Sequence, residues 1–75
     1  MKVIMRKKYV TRGGLPVRIL TTRGPDSMFT VVGVINHREL KGWVAHSWRS
    51  DGSYFGSNMK HAHDLVEVSD ENYPS

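Results

Sequence analysis

Leu15-Pro16-Val17-Arg18-Ile19-Leu20-Thr21 carries the pattern on which the fold turns. Leu15, Val17 and Ile19 fall on one side of a pleated strand and Arg18 on the other, so the run reads as a half-buried β-strand. Upstream, Tyr9-Val10-Thr11 is β-prone, and Arg12-Gly13-Gly14 between the two runs offers two residues able to take positive φ. The spacing predicts a tight hairpin. Downstream, Thr22-Arg23-Gly24-Pro25-Asp26-Ser27 breaks the pattern, because Pro25 fixes φ and removes a donor while Asp26 can bond its own nearby backbone.

Met28-Phe29-Thr30-Val31-Val32-Gly33-Val34-Ile35 is the most β-branched stretch and is partly apolar on both faces, which predicts a central strand. Gly33 within it points to a bulge or a sharp bend. Asn36 to Gly42 reads as a polar connection, Trp43 to Arg49 as the next strand, and Ser50-Asp51-Gly52-Ser53 as a hairpin turn from which Tyr54 and Phe55 begin a return strand. A single helical turn fits around Asn58–Ala62. Leu65-Val66-Glu67-Val68 gives one last short strand, and the acidic tail from Ser69 is expected to fray.

These elements predict an all-β fold with turn signals about every 8–12 residues. The 75 residues allow one core, since a chain this short buries only about 60% of its unfolded surface. An open sheet of this size would leave a face and two edges exposed. The expectation is therefore a small five- to six-stranded antiparallel SH3-like barrel with no substantial helix, one domain over 1–68, and a flexible tail over 69–75. Val17, Ile19, Val31, Ile35, Val44 or Trp48, and Val66 would share its core, each worth roughly 1.5–3 kcal/mol. Without cysteine, neither disulfides nor thiolate metal sites can supplement that core. The first eight residues place a short apolar patch before the bases, the reverse of a signal peptide, and no apolar run is long enough to span a bilayer, so a cytoplasmic location with no membrane partner is expected.

The order of motifs resembles a group of small phage and prophage proteins of uncharacterised function. The matching pieces are Thr11-Arg12 with Gly14, Val17-Arg18-Ile19-Leu20, Val31-Val32-Gly33-Val34-Ile35, Ser47-Trp48, Asp51-Gly52-Ser53-Tyr54 and Asp64-Leu65-Val66-Glu67, together covering roughly residues 9–68. In that group a polar residue such as Asp more often precedes the first turn glycine, where this chain has Gly13. The resemblance implies an SH3-like fold and a phage setting inside a bacterial host cell. It transfers no activity and no functional residues.

Charge is distributed unevenly. Residues 1–49 carry ten Lys and Arg against Asp26 and Glu39, a balance of +8, and residues 50–75 carry Lys60 against five acids, a balance of −4, for a total of +4. The split suits a basic face toward phosphates or pairing between strands near and far in sequence.

Four histidines invite a metal reading, above all His61-Ala62-His63-Asp64, because imidazoles two apart on an extended segment point the same way. A site needs further ligands, which His37 or His46 could supply only if the fold brought them close. Surface histidines, with no metal and no cofactor, are the plainer expectation, and His46 reads as a half-buried strand residue with a hydrogen-bonded ring. Ser47 or Ser53 with His46 and Asp51 are strand and turn neighbours with no strained elbow or oxyanion hole, and no phosphate-cradling glycine loop is present, so an enzyme is not expected.

Two binding classes remain. The first is a non-enzymatic accessory module that docks a protein, such as a host factor, or a second copy of itself. Trp43, opposite in strand phase to Trp48, is its expected exposed anchor, although a tryptophan there could also simply cap an open barrel end. The second is a nucleic-acid-binding barrel with Trp43, Tyr54 and Phe55 stacking bases beside Arg12, Arg18, Arg38, Lys41 and Arg49.

Overall fold

A computed structural model describes residues 1–40, 42–56 and 58–74. Five strands form, β1 (Lys8–Thr11), β2 (Pro16–Thr21), β3 (Val31–His37), β4 (Gly42–Trp48) and β5 (Leu65–Val68). They make one antiparallel sheet in the order β4-β3-β2-β1-β5. Helical structure among the described residues is confined to single 3-10 turns at Arg38–Leu40 and Asp70–Asn72. The all-β class expected from the alternation is thus the class observed. No helix among the described residues is long and apolar enough to cross a membrane.

The β1–β2 hairpin closes as its sequence predicts. The Thr11 N–H donates to the Leu15 carbonyl at 2.9 Å, the Leu15 N–H to Thr11 Oγ1 at 2.9 Å, and the Gly14 N–H to the Thr11 carbonyl at 2.8 Å. A three-residue loop of this kind ends in a left-handed residue, and Gly14 supplies it with φ 90°. The bend foreshadowed by Gly33 is also present, with its extra residue on the neighbouring strand. Gly33 pairs with Ile19 and Val32 with Thr21, which leaves Leu20 over as a bulge. A Cβ on Gly33 would run into the Arg18 carbonyl, so only glycine fits there.

Several boundaries differ from expectation. β3 starts at Val31 because Asp26 Oδ1 accepts the N–H groups of Met28 and Phe29, at 2.8 and 2.9 Å, and holds the preceding residues in a turn. It then runs on through Asn36 and His37, which pair with Trp43 and Gly42, so the connection to β4 shrinks to one 3-10 turn. The Arg49–Ser53 turn forms with Gly52 at φ 87°, but no return strand follows. The Tyr54 N–H donates to the Asp64 carboxylate at 2.8 Å instead of entering a ladder. Asn58–Ala62 makes turns and a bend and no helix. After β5, the Tyr73 hydroxyl donates to the Val17 carbonyl at 2.9 Å.

Val3, Tyr9, Val17, Val31, Ile35, Trp48 and Leu65 form the buried core, with Leu15, Ile19 and Tyr54 packed against it. Trp48, rather than the half-buried Val44, fills the β4 position. Val66 does not belong to the core: it is 38% exposed, and Leu65 points inward in its place. The cause is register, since β5 sets Leu65 opposite the buried Thr11 and Val66 opposite Val10. Tyr9 and Val3 complete the interior. The Tyr9 hydroxyl accepts the Ile4 N–H at 3.0 Å, and the Val3 N–H donates to the Ser50 carbonyl at 2.9 Å.

The molecule measures 30 × 25 × 23 Å, whereas a flat sheet would be only roughly 10 Å thick. The sheet and the segments packed against it together make up that depth. Its two edge strands, β4 and β5, are not neighbours in the ladder. Residues 49–64 bridge them instead, through Trp48 Nε1–H to the His63 carbonyl at 2.7 Å and Leu65 N–H to the Gly52 carbonyl at 2.9 Å.

Candidate functional site

The sheet and its bridging segment bring all four histidines together. His37 ends β3 and His46 lies within β4, both in phase with the inward residues Val31, Ile35 and Trp48. About 13 Å of ladder separates Gly33, the partner of His46, from His37, so their rings can meet only if the inner face is concave. They do meet. The two Nε2 atoms stand 3.0 Å apart. Across this contact one ring donates and the other accepts.

His63 joins from the bridging segment, its ring centroid 5.4 Å from that of His37 and 5.1 Å from that of His46. His46 Nδ1 shares a hydrogen bond with the Tyr54 hydroxyl at 3.1 Å. His61 sits at the margin, stacked on Tyr54 at 4.7 Å and edge-on to Phe55 at 4.7 Å. Its Nδ1 accepts the His63 N–H at 3.0 Å, so the neutral ring carries its proton on Nε2. Burial pushes the pKa of His46 and of His63 below the usual imidazole range, and the neighbouring histidines add to the effect in both. His63 Nδ1 is buried without a hydrogen-bond partner. As the rings stand, no three His, Asp or Glu side chains among the described residues are set to hold one ion.

Asp64 organises this region, a role the sequence reading missed. Its Oδ1 accepts the Tyr54 N–H at 2.8 Å, and its Oδ2 accepts the His61 N–H at 2.9 Å and an Arg12 guanidinium N–H at 3.3 Å. Burial alone would raise its pKa, but the donors of Tyr54, His61 and Arg12 outweigh that and hold it below the ordinary carboxylate value. The same carboxylate thus fixes the chain on both sides of the histidine pair 61 and 63. The available signal was Asp64 three residues after His61 in a turn-rich stretch, a common local capping arrangement.

The residues proposed for nucleic-acid contact fall into separate places. Arg12 is committed to Asp64, and Tyr54 is half-buried with its hydroxyl on His46. Trp43 is 46% exposed on β4, with the Arg18 guanidinium 6.0 Å from its ring centre. Arg49 lies over Phe29 at 5.7 Å, and Phe29, Ser47, Tyr54 and Phe55 line a groove of about 200 Å³. Arg38 is exposed on the β3–β4 turn, and Lys41 lies outside the described residues. His61 and His63 do not form the side-by-side pair that an extended segment would give, because the 61–63 backbone turns. Ser53 and Asp51 bond each other within the turn, with Ser53 Oγ donating to Asp51 Oδ1 at 2.7 Å, while both nitrogens of His46 face His37 and Tyr54. Serine, histidine and carboxylate are therefore not wired in series.

Compared with known family models, curated proteins and solved structures, the chain matches none.

Proposed function

We propose that the chain is a non-enzymatic interaction module that takes an extended segment of a protein partner along the outer edge of β4, with Trp43 as its anchor. The observation that carries this reading is the exposure of Trp43, at 46%, on a strand that, among the described residues, pairs with β3 alone. An unpaired strand edge offers main-chain donors and acceptors to an added strand, and an exposed tryptophan beside it supplies the apolar contact that gives such docking its energy. Val34 and Ala45 lie level with each other across β3 and β4, on the same face as Trp43, and continue the apolar surface beyond it. A second copy of the chain is one such partner. An accessory role in a phage or prophage setting follows from the resemblance and rests on it alone, while a cytoplasmic location rests on the order of apolar and basic residues at the start of the chain.

The nucleic-acid alternative draws support from the Arg18–Trp43 and Arg49–Phe29 pairs, which place a cation on an aromatic face. It is weakened by the commitment of Arg12 to Asp64 and of Tyr54 to His46.

The test is selection of displayed random peptides on the wild-type protein, followed by affinity measurement on Trp43→Ala, with sedimentation to detect self-association. The expected result is a set of peptides, or a dimer, whose binding falls at least about tenfold in the variant while its fold is kept. Absence of both, together with micromolar binding to single-stranded oligonucleotides that fades steeply above about 50 mM salt, would replace this reading with the alternative.

A further inference from the structure

From the histidine cluster we infer that His37, His46 and His63 form a binding site for one divalent transition-metal ion of the zinc class. This site is separate from the outer edge of β4. Imidazole nitrogens bind zinc at about 2.0–2.1 Å, so three rings on a tetrahedral ion have centroids about 5.2 Å apart and donor nitrogens about 3.3 Å apart. The three centroid distances here are 5.2, 5.4 and 5.1 Å. His37 and His46 already aim their Nε2 atoms at each other across 3.0 Å.

What is missing is convergence on one point: His37 and His46 face each other nearly head-on, so the pair must open by about 0.3 Å and tip, and His63 must turn a nitrogen toward them. That residue holds a buried Nδ1 with no partner, a costly arrangement that coordination would relieve. Rotation about the Cβ–Cγ bond sweeps the ring nitrogens while leaving the centroid nearly in place, so the third ligand needs no backbone movement. The backbone is in any case pinned, with the His63 carbonyl accepting Trp48 Nε1–H at 2.7 Å.

The surroundings fit such a site. A metal-bound imidazole ordinarily has its second nitrogen held by an outer partner, and the Tyr54 hydroxyl holds His46 Nδ1 at 3.1 Å in that way. An all-imidazole set suits zinc, copper or nickel and disfavours magnesium or calcium. The three ligands come from β3, β4 and the segment that bridges β4 to β5, so the ion would clip that segment to the β3–β4 end of the sheet. In a chain of 75 residues without cysteine, such a clip is a direct source of stability.

The test uses the full chain stripped with a chelator and titrated with Co²⁺, then Zn²⁺. One Co²⁺ per chain is expected, with the visible absorption of a tetrahedral site, displaced by Zn²⁺, which also raises the melting temperature. His37→Gln and His46→Gln should each weaken binding more than about tenfold, and Tyr54→Phe by about tenfold through its outer contact. His61→Gln should stay within about twofold, since its Nδ1 is already engaged by the His63 N–H. His37 sits at a strand end, so His37→Gln keeps the test open should His46→Gln fail to fold; circular dichroism checks both. The proposal is overturned if no saturable Co²⁺ or Zn²⁺ binding occurs, or if His61→Gln loses as much affinity as His37→Gln.

Discussion

The β1–β4 sheet and the 49–64 bridge are built on different physics. In the sheet, inward positions alternate with outward ones, and apolar side chains such as Val17, Val31, Ile35 and Trp48 are removed from water with almost no exposure. In the bridge, only Gly52, Ser53 and Asp64 are buried among the described residues, and the segment is held by hydrogen bonds that converge on one carboxylate and by stacked polar rings. The first region tolerates exchange of one aliphatic group for another of similar volume. The second depends on donors and acceptors at fixed atoms, so a change of one atom type can undo it.

Trp48 joins the two regions and should show the largest effect. It is fully buried, and its Nε1–H donates across to the bridge at 2.7 Å. Trp48→Ala should cost about 3–5 kcal/mol and leave the chain largely unfolded, measured by urea titration. Trp48→Phe separates the two roles, because it keeps most of the burial and leaves the His63 carbonyl without its donor. A variant as stable as wild type would show that the bridge bond adds nothing.

Asp64→Asn is the corresponding break within the bridge. The carboxylate accepts from Tyr54, His61 and Arg12, whereas an amide has one acceptor oxygen and would turn an NH₂ group toward an N–H donor. A loss of roughly 1–3 kcal/mol is expected. Hydrogen exchange should speed up at Tyr54 and His61 while the β2 and β3 amides stay protected. Uniform acceleration across the sheet would mean that the two regions are one cooperative unit.

The contrast also explains what the sequence made legible. Strand positions, the Arg12–Gly14 hairpin, the Gly33 bend and the opposite exposure of Trp43 and Trp48 all follow from period-two alternation and turn chemistry, which act over a few neighbouring residues. Alternation alone does not choose between Leu65 and Val66, since two adjacent aliphatics satisfy it equally, and only pairing with Thr11 selects Leu65 for the core. The return strand at Tyr54 and Phe55 fails for a similar reason, since a β-prone pair gives no warning that its N–H is claimed by Asp64, ten residues on. The meeting of His37 and His46 with His63 was conditional on tertiary curvature, and no local pattern encodes a concave sheet.

Acidity should weaken the bridge turn in a defined direction. The Ser53 hydroxyl and then the Ser53 N–H, both donating to Asp51 Oδ1, hold the Asp51 pKa below its ordinary value. A carboxyl with a lower pKa folded than unfolded contributes stability above the unfolded value, near 4, and loses it as pH falls through the folded one. Unfolding measured from pH 6 to pH 2 should therefore fall less steeply in Asp51→Asn than in wild type. Identical slopes would show that the turn carries no such linkage.

The smallest effect is expected where the sheet faces outward. Trp43 gives up little apolar contact on truncation because 46% of it already meets solvent, and its neighbour Arg18 is itself exposed. Surface changes away from buried features stay within about 0.5 kcal/mol, so Trp43→Ala should melt within a few degrees of wild type. That near-neutrality is what makes the residue informative. Loss of peptide or self-binding without loss of stability would separate a role in binding from one in folding. A fall of 2 kcal/mol or more, on the scale of about 1.5–3 kcal/mol for burying a large side chain, would instead assign Trp43 to the packing of the sheet end and remove the anchor from the β4 edge.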